Sequence, residues 1–326
     1  MFATVALLGC QNEPTPVAPG NGRPISFDNV ETRAGLSDLK ANGFGVWAIV
    51  NNATMVNHDL MNNQKVTYNT TSDAWEYDPE QQWIDNSVFN FTATYPYDAN
   101  GTYFSYDNAN ADVTLTVSET PSQTDFLIAT HTTDTSEENY STEVPLNFQH
   151  ALTSVGLKIW RDEAKHTNDQ MRVTKVTLSN IRKSGAYSSA AGEWKYDKNK
   201  LTVEYVNNTL TDTDNIGAAM LQDNGTLQTG GTAVNPFGDM MLLPQTLDAS
   251  NNSVSLKIVY ELKLQNAADW EEKELETVLP SMTLNPGQRY TFNVVLSSVT
   301  DITVYYIQTK VDPWGTPQVG GTVIIK

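Results

Sequence analysis

Apolar and polar residues alternate along much of this chain. Val254, Leu256, Ile258, Tyr260, Leu262 and Leu264 are each two residues apart, and so are Tyr290, Phe292, Val294 and Leu296. The same period runs through Ile302, Val304 and Tyr306, through Val155, Leu157 and Ile159, through Leu201, Val203 and Tyr205, and through Val113, Leu115 and Val117. A period of two sends successive side chains to opposite faces of an extended chain, so each run predicts a strand with one buried face. Asn, Gly, Asp and Pro cluster between the runs and predict turns. In LNPGQ, 284–288, Pro286 fixes φ and Gly287 accepts the positive φ that a type II turn needs. No amphipathic helical pattern of ten or more residues is evident. The predicted fold class is all-β, built as β-sandwiches.

A chain of 326 residues suits about two domains and buries a sizeable core without covalent staples. The polar run HTTDTSEENYSTE, 131–143, marks the expected boundary between an N-terminal sandwich over 34–143 and a C-terminal one over 144–326. A long loop inside one domain is the competing reading of that run.

Composition narrows the function. Hydrophobic residues make up 39% and charged residues 18%, with a formal net charge of −18. Such a chain repels phosphate backbones and anionic lipid surfaces, which argues against nucleic acid as a partner. No apolar run approaches the roughly 20 residues of a membrane-spanning helix. His58, His131, His150 and His166 are scattered and show no metal-ligand spacing. The acidic pairs Glu137-Glu138 and Glu271-Glu272 read as solvated faces, and His150 reads as a hydrogen-bonded structural residue. No nucleophile elbow, zinc helix, P-loop or dinucleotide fingerprint occurs. TGGTAVNPFG, 229–238, reads as a loop. Trp47 and Trp160 lie within strand patterns and are expected in the core. Trp75, Trp83 and Trp270 stand in polar contexts, where a sugar-binding surface is the alternative. No catalytic residue, metal site or cofactor is expected.

The one cysteine, Cys10, stands at the end of the apolar start MFATVALLGC. That start reads as the end of a signal sequence whose first residues lie upstream. Leu7-Leu8-Gly9-Cys10 resembles a bacterial lipobox. The small Gly9 admits the signal peptidase, and the thiol of Cys10 accepts diacylglycerol. An ordinary signal peptide with a chance cysteine is the other reading. QNEPTPVAPGNGRP follows, with four prolines and two glycines, and reads as a tether that cannot pack. Residues 1–10 are thus a signal remnant, and 11–33 a linker with a short first strand carrying Ile25 and Phe27 on one face, Val30 out of phase.

Several segments resemble the fimbrillin family, the type V pilin and fimbrillin-like lipoproteins of Gram-negative anaerobes: DFLIAT (125–130), VPLNFQHALTSVGLKI (144–159), MMLLPQTL (240–247) and LNPGQRYTFNVVL (284–296). The resemblance covers about residues 24 to 326. It implies two β-sandwich domains of transthyretin-like topology and a lipoprotein precursor shown at the cell outer membrane. It also implies removal of the N-terminal segment by an arginine-specific protease, and polymerisation with other fimbrial subunits by strand exchange. In NVETRAGL the bond between Arg33 and Ala34 fits that protease, since small residues follow the arginine. Arg33 as a surface residue with no role is the alternative. The chain ends VDPWGTPQVGGTVIIK. Behind the Gly320-Gly321 hinge, Val323 and Ile325 face one way and Ile324 the other. With Val319 they form the candidate donor strand, which otherwise is the last strand of the C-terminal domain. The family includes shaft, tip and anchor subunits. The second reading is therefore a tethered monomeric lipoprotein that binds a glycan or a host protein, with a host or bacterial surface receptor as partner.

Overall fold

A computed structural model describes residues 22–27, 30–32, 36–122, 124–188, 191–196, 202–210, 216–222, 227–248, 253–297, 302–310 and 323–324. Among the described residues the chain is all-β apart from the seven-residue helix Leu36–Asn42. Among the described residues no helix is long and apolar enough to cross a membrane.

The N-terminal half centres on a seven-stranded sheet. Its order is Val30–Thr32, Leu146–His150, Leu127–Asp134, Val88–Tyr95, Phe44–Asn51, His58–Asn69, Ala74–Glu76. Phe44, Val46, Ala48 and Val50 point from its central strand into one core, with Phe89, Phe91, Leu146 and Phe148. Trp47 points the other way, into a second cluster with Ile128, Phe104, Val113 and Leu115. Phe44–Asn51 is therefore covered on both faces. That accounts for the unbroken apolar stretch VWAIV, which shows no clean alternation.

The C-terminal half is a sandwich. Thr153–Asp162 pairs in parallel with Gln288–Leu296, which pairs antiparallel with Ile302–Lys310. The facing sheet runs Thr202–Asn207, Gln170–Arg182, Ser255–Lys263, Glu271–Val278. Val155, Leu157, Ile159, Tyr290, Phe292, Val294 and Leu296 meet Leu256, Ile258, Tyr260 and Leu262 in one core. The alternating residues thus sit inside as the period requires. Leu264 is the exception: the strand stops at Lys263 and Leu264 is 52% exposed. Gly287 has φ of +66° and its N–H donates to Leu152 O, so the 284–288 turn forms where expected.

The break expected at 143/144 does not coincide with a break in pairing. Residues 131–134 end the strand Leu127–Asp134, and Leu146–His150 returns to pair with Leu127 and Ile128 of the same sheet. A further four-stranded sheet joins Phe104–Asp107 and Asp112–Thr116 to Ser184–Ser188 and Glu193–Lys195, mixing the two halves.

The loop leading into that sheet is fixed by Asp98, which is 6% exposed. Its carboxylate accepts the N–H groups of Tyr103 (2.6 Å) and Phe104 (2.9 Å). Burial pushes this carboxyl up, but the surrounding backbone N–H groups outweigh burial and hold it below the usual carboxylate range. A depressed folded value gives stability that is present above the unfolded value and is lost as pH falls through the folded one. Asp98→Asn is expected to lower unfolding stability by about 1–3 kcal/mol at neutral pH. In urea titrations the loss should shrink in strong acid, where the wild-type carboxyl is itself protonated; an equal loss at both pH values would contradict this origin.

Candidate functional site

The segment Pro24-Ile25-Ser26-Phe27 lies in a groove of the N-terminal half. Its alternation places Ile25 and Phe27 on one side, and both are buried, at 2% and 0% exposure. One flank is the chain at 81–83: Ile25 N–H donates to Gln81 O (2.9 Å), and Trp83 N–H donates to Arg23 O (3.1 Å). The other flank is the chain entering Leu146–His150: Val144 N–H donates to Ser26 O (2.8 Å), and Ser26 bridges Glu143 in parallel. Val30–Thr32 then continues along that flank, parallel to Leu146–Phe148, as the edge strand of the seven-stranded sheet. Val30 is buried in the same core as Ile25 and Phe27.

Aromatic rings build the floor and one wall. Phe27 meets Phe44 and Phe91 edge-on, each 6.2 Å between ring centres, and Tyr77 at 5.5 Å. Tyr77 donates its hydroxyl to Ile25 O (2.8 Å). Burial pushes the Tyr77 phenol up to about 12, so it stays a neutral donor across the physiological range. Trp83 is fully buried, meets Phe89 and Phe91 edge-on, and donates Nε1–H to Thr142 O (3.1 Å). Arg23 reaches Asp85 at 3.3 Å and lies 4.8 Å from the Tyr140 ring centre, with both charged side chains about half exposed.

This geometry defines what the groove can accept. Three apolar side chains fill it, and each large buried side chain is worth about 1.5–3 kcal/mol against water. Emptying it would also leave Val144 N–H and the Leu146–Phe148 edge without their partners. A groove with apolar pockets two residues apart and one free strand edge accepts an extended chain of matching alternation.

The sequence-predicted residues fall as follows. Cys10, Arg33, Ala34, Val319 and Ile325 lie outside the described residues. The Arg33–Ala34 bond falls in the stretch joining Val30–Thr32 to Leu36–Asn42. Val323 and Ile324 form a two-residue strand antiparallel to Tyr306 and Tyr305 of Ile302–Lys310. Trp83 and Trp75, left open by their polar surroundings, are core residues, as are Trp47 and Trp160. Tyr77, Trp83 and the 142–144 chain were not foreseen as groove walls. The available signal was a lone tryptophan in QQWID, since so large an apolar ring gains most from burial.

The chain matches the family described as fimbrillin-like over residues 32–314. Among solved structures it is similar to a fimbrial protein from Bacteroides vulgatus at 18% identity and a TM-score of 0.62, covering 88% of this chain and 99% of that one. It is also similar to a putative cell adhesion protein from Parabacteroides distasonis at 12% identity and a TM-score of 0.50, covering 92% and 93%. At these identities the likeness concerns the fold. The sequence has no match among curated proteins.

Phe27→Ala is expected to destabilise the chain by about 3–5 kcal/mol in denaturant unfolding, because it truncates a fully packed ring. Arg23→Ala, at a half-exposed ion pair, is expected to stay within about 1 kcal/mol of wild type. Equal effects of the two would mean that the segment is held by its rim and not by its buried face.

Proposed function

Because the chain belongs to the fimbrillin-like family, we propose that it is a structural subunit of a cell-surface fimbria. In this reading it is exported as a lipoprotein, held in the outer membrane through lipid on Cys10, cut by an arginine-specific protease between Arg33 and Ala34, and joined to other fimbrial subunits by strand exchange. The observation that carries the reading is the burial of Ile25 and Phe27 in the N-terminal core, just before the one arginine of NVETRAGL. A lipid anchor on Cys10 would hold the subunit stably at the membrane, since two acyl chains already suffice for stable anchoring. Entry into a filament therefore requires a cut between Cys10 and the body.

Cleavage alone does not empty the groove. Residues 22–32 would remain docked through three buried side chains, about 1.5–3 kcal/mol apiece, until another extended segment displaced them. The C-terminal segment with Val319, Val323, Ile324 and Ile325 has the β-branched, alternating character such a competitor needs. Main-chain pairing would supply affinity and the side chains would set register.

The second reading is a tethered monomer with a glycan or host protein as its ligand. One observation favours it: Val323 and Ile324 pair with the chain's own Ile302–Lys310, so the tail has a partner without a second subunit. A subunit before assembly is expected to park its tail in the same way.

The test is made on cells. Subunits from sheared filaments are expected to begin at Ala34, and Arg33→Ala to leave lipidated, unpolymerised protein in the membrane. Truncation after Gln318 is expected to give a folded, cleaved subunit that does not add to a neighbour. Cys10→Ser is expected to abolish palmitate labelling. Normal filaments from Arg33→Ala would sink the cleavage step, and filaments from the truncated chain would move the donor elsewhere.

A further inference from the structure

Tyr187 and Trp194 of the mixed four-stranded sheet, half-buried against the core that holds Trp47 and Phe104, border a cavity of about 270 Å³. Tyr187 and Trp194 are directly opposed across Ser184–Ser188 and Glu193–Lys195, with ring centres 5.6 Å apart and planes at 61°. Trp194 also lies nearly parallel to Tyr196, at 6.3 Å and 9°. Gly185 makes this possible. A Cβ there would stand 2.7 Å from Tyr196 Cε1 and 3.3 Å from Trp194 Cε3, so both rings lie across bare backbone. The result is an aromatic cluster fixed by packing, with Tyr187 and Trp194 at the cavity.

The rest of the lining comes from distant parts of the chain. Gln149 belongs to Leu146–His150, and Gln288 begins the strand after the 284–288 turn. Gln149 Nε2 donates to Asn147 Oδ1 (2.7 Å), which fixes its amide. His150 lies beneath, its Nδ1 2.7 Å from Asp125 Oδ2. The lip is kept low by two glycines with positive φ, Gly192 at +68° and Gly287 at +66°. Among the described residues, no Asp, Glu, Lys or Arg lines the cavity, although the chain carries a net charge of −18.

We propose that this cavity binds a terminal, neutral sugar residue of a glycan. An aromatic face takes the C–H face of a pyranose ring. Each glutamine amide both donates and accepts, which matches sugar hydroxyls. The absence of fixed charge at the wall favours a neutral ring over a sialylated or sulfated one, because a charge buried without a partner is costly. The volume lies just below the usual range of about 300–1,000 Å³ for small-molecule pockets, which suits one ring. A proline-rich peptide also uses aromatic walls, but it needs an extended groove. The site does not depend on whether the chain polymerises or stays tethered.

The test uses the full chain on an array of neutral, sialylated and sulfated glycans and proline-rich peptides. Tryptophan fluorescence titrations with the free methyl hexopyranosides follow. Binding is expected to be confined to glycans with neutral ends. Trp194→Ala and the double change Gln149→Ala, Gln288→Ala are each expected to weaken it by at least about tenfold. Trp270→Ala is the control, since Trp270 stacks under Arg172 on the other sheet and should bind as wild type. Gln288→Leu removes the amide's donor and acceptor at nearly the same volume, and is expected to weaken binding by at least about tenfold even if Trp194→Ala fails to fold. No bound glycan, binding only of anionic glycans or of peptides, or neutral binding that survives Gln288→Leu and the double glutamine change would each overturn the proposal.

Discussion

The packing of Phe27 among Phe44, Tyr77 and Phe91 is the contact on which the N-terminal half depends. Those rings belong to strands and loops far apart in sequence, and Phe27 is the residue that closes the space between them. A void of that size in a densely packed interior costs several kilocalories, because the lining atoms lose their partners. The backbone adds a second constraint: Val144 N–H and the Leu146–Phe148 edge need an extended neighbour. The groove is therefore a position that some strand must always occupy. Residues 22–32 meet that need within one chain, and they are attached to the body only through the stretch that contains Arg33.

The two halves are less separable than a string of domains. Leu146–His150 completes the N-terminal sheet and then runs directly into Thr153–Asp162 of the C-terminal sandwich. The strands Asp112–Thr116 and Ser184–Ser188 pair across the halves, and Leu243 packs with Trp47 and Ile128. Whatever fills the groove thus presses on a strand that is continuous with the C-terminal core. The aromatic cluster at Trp194 exists only because this crossing sheet exists.

Alternation made the C-terminal sandwich legible. Ser255–Lys263 and Gln288–Leu296 each bury one face, and a period of two records that directly. The short strand with Ile25 and Phe27 was legible for the same reason. The central strand Phe44–Asn51 was not, since burial on both faces removes the alternation. Trp75 and Trp83 were ambiguous because their neighbours in sequence are polar while their neighbours in space are aromatic. The partner of Val30–Thr32 could not be read at all: a parallel pairing with residues 146–148 leaves no local signal. The segment was recognisable as a strand, but the groove around it was not.

Backbone hydrogen exchange reports directly on whether the groove must stay filled. The full chain would be cleaved after Arg33, and the groove followed through the amides of Ile25, Trp83, Val144 and residues 146–148. These amides should stay protected after cleavage while residues 22–32 remain docked. The amides of Val144 and 146–148 should lose protection when that segment is washed out under mild denaturant, and regain it on addition of a peptide of residues 318–326. Protection of Val144 and 146–148 that persists without the segment, or that the peptide fails to restore, would contradict it.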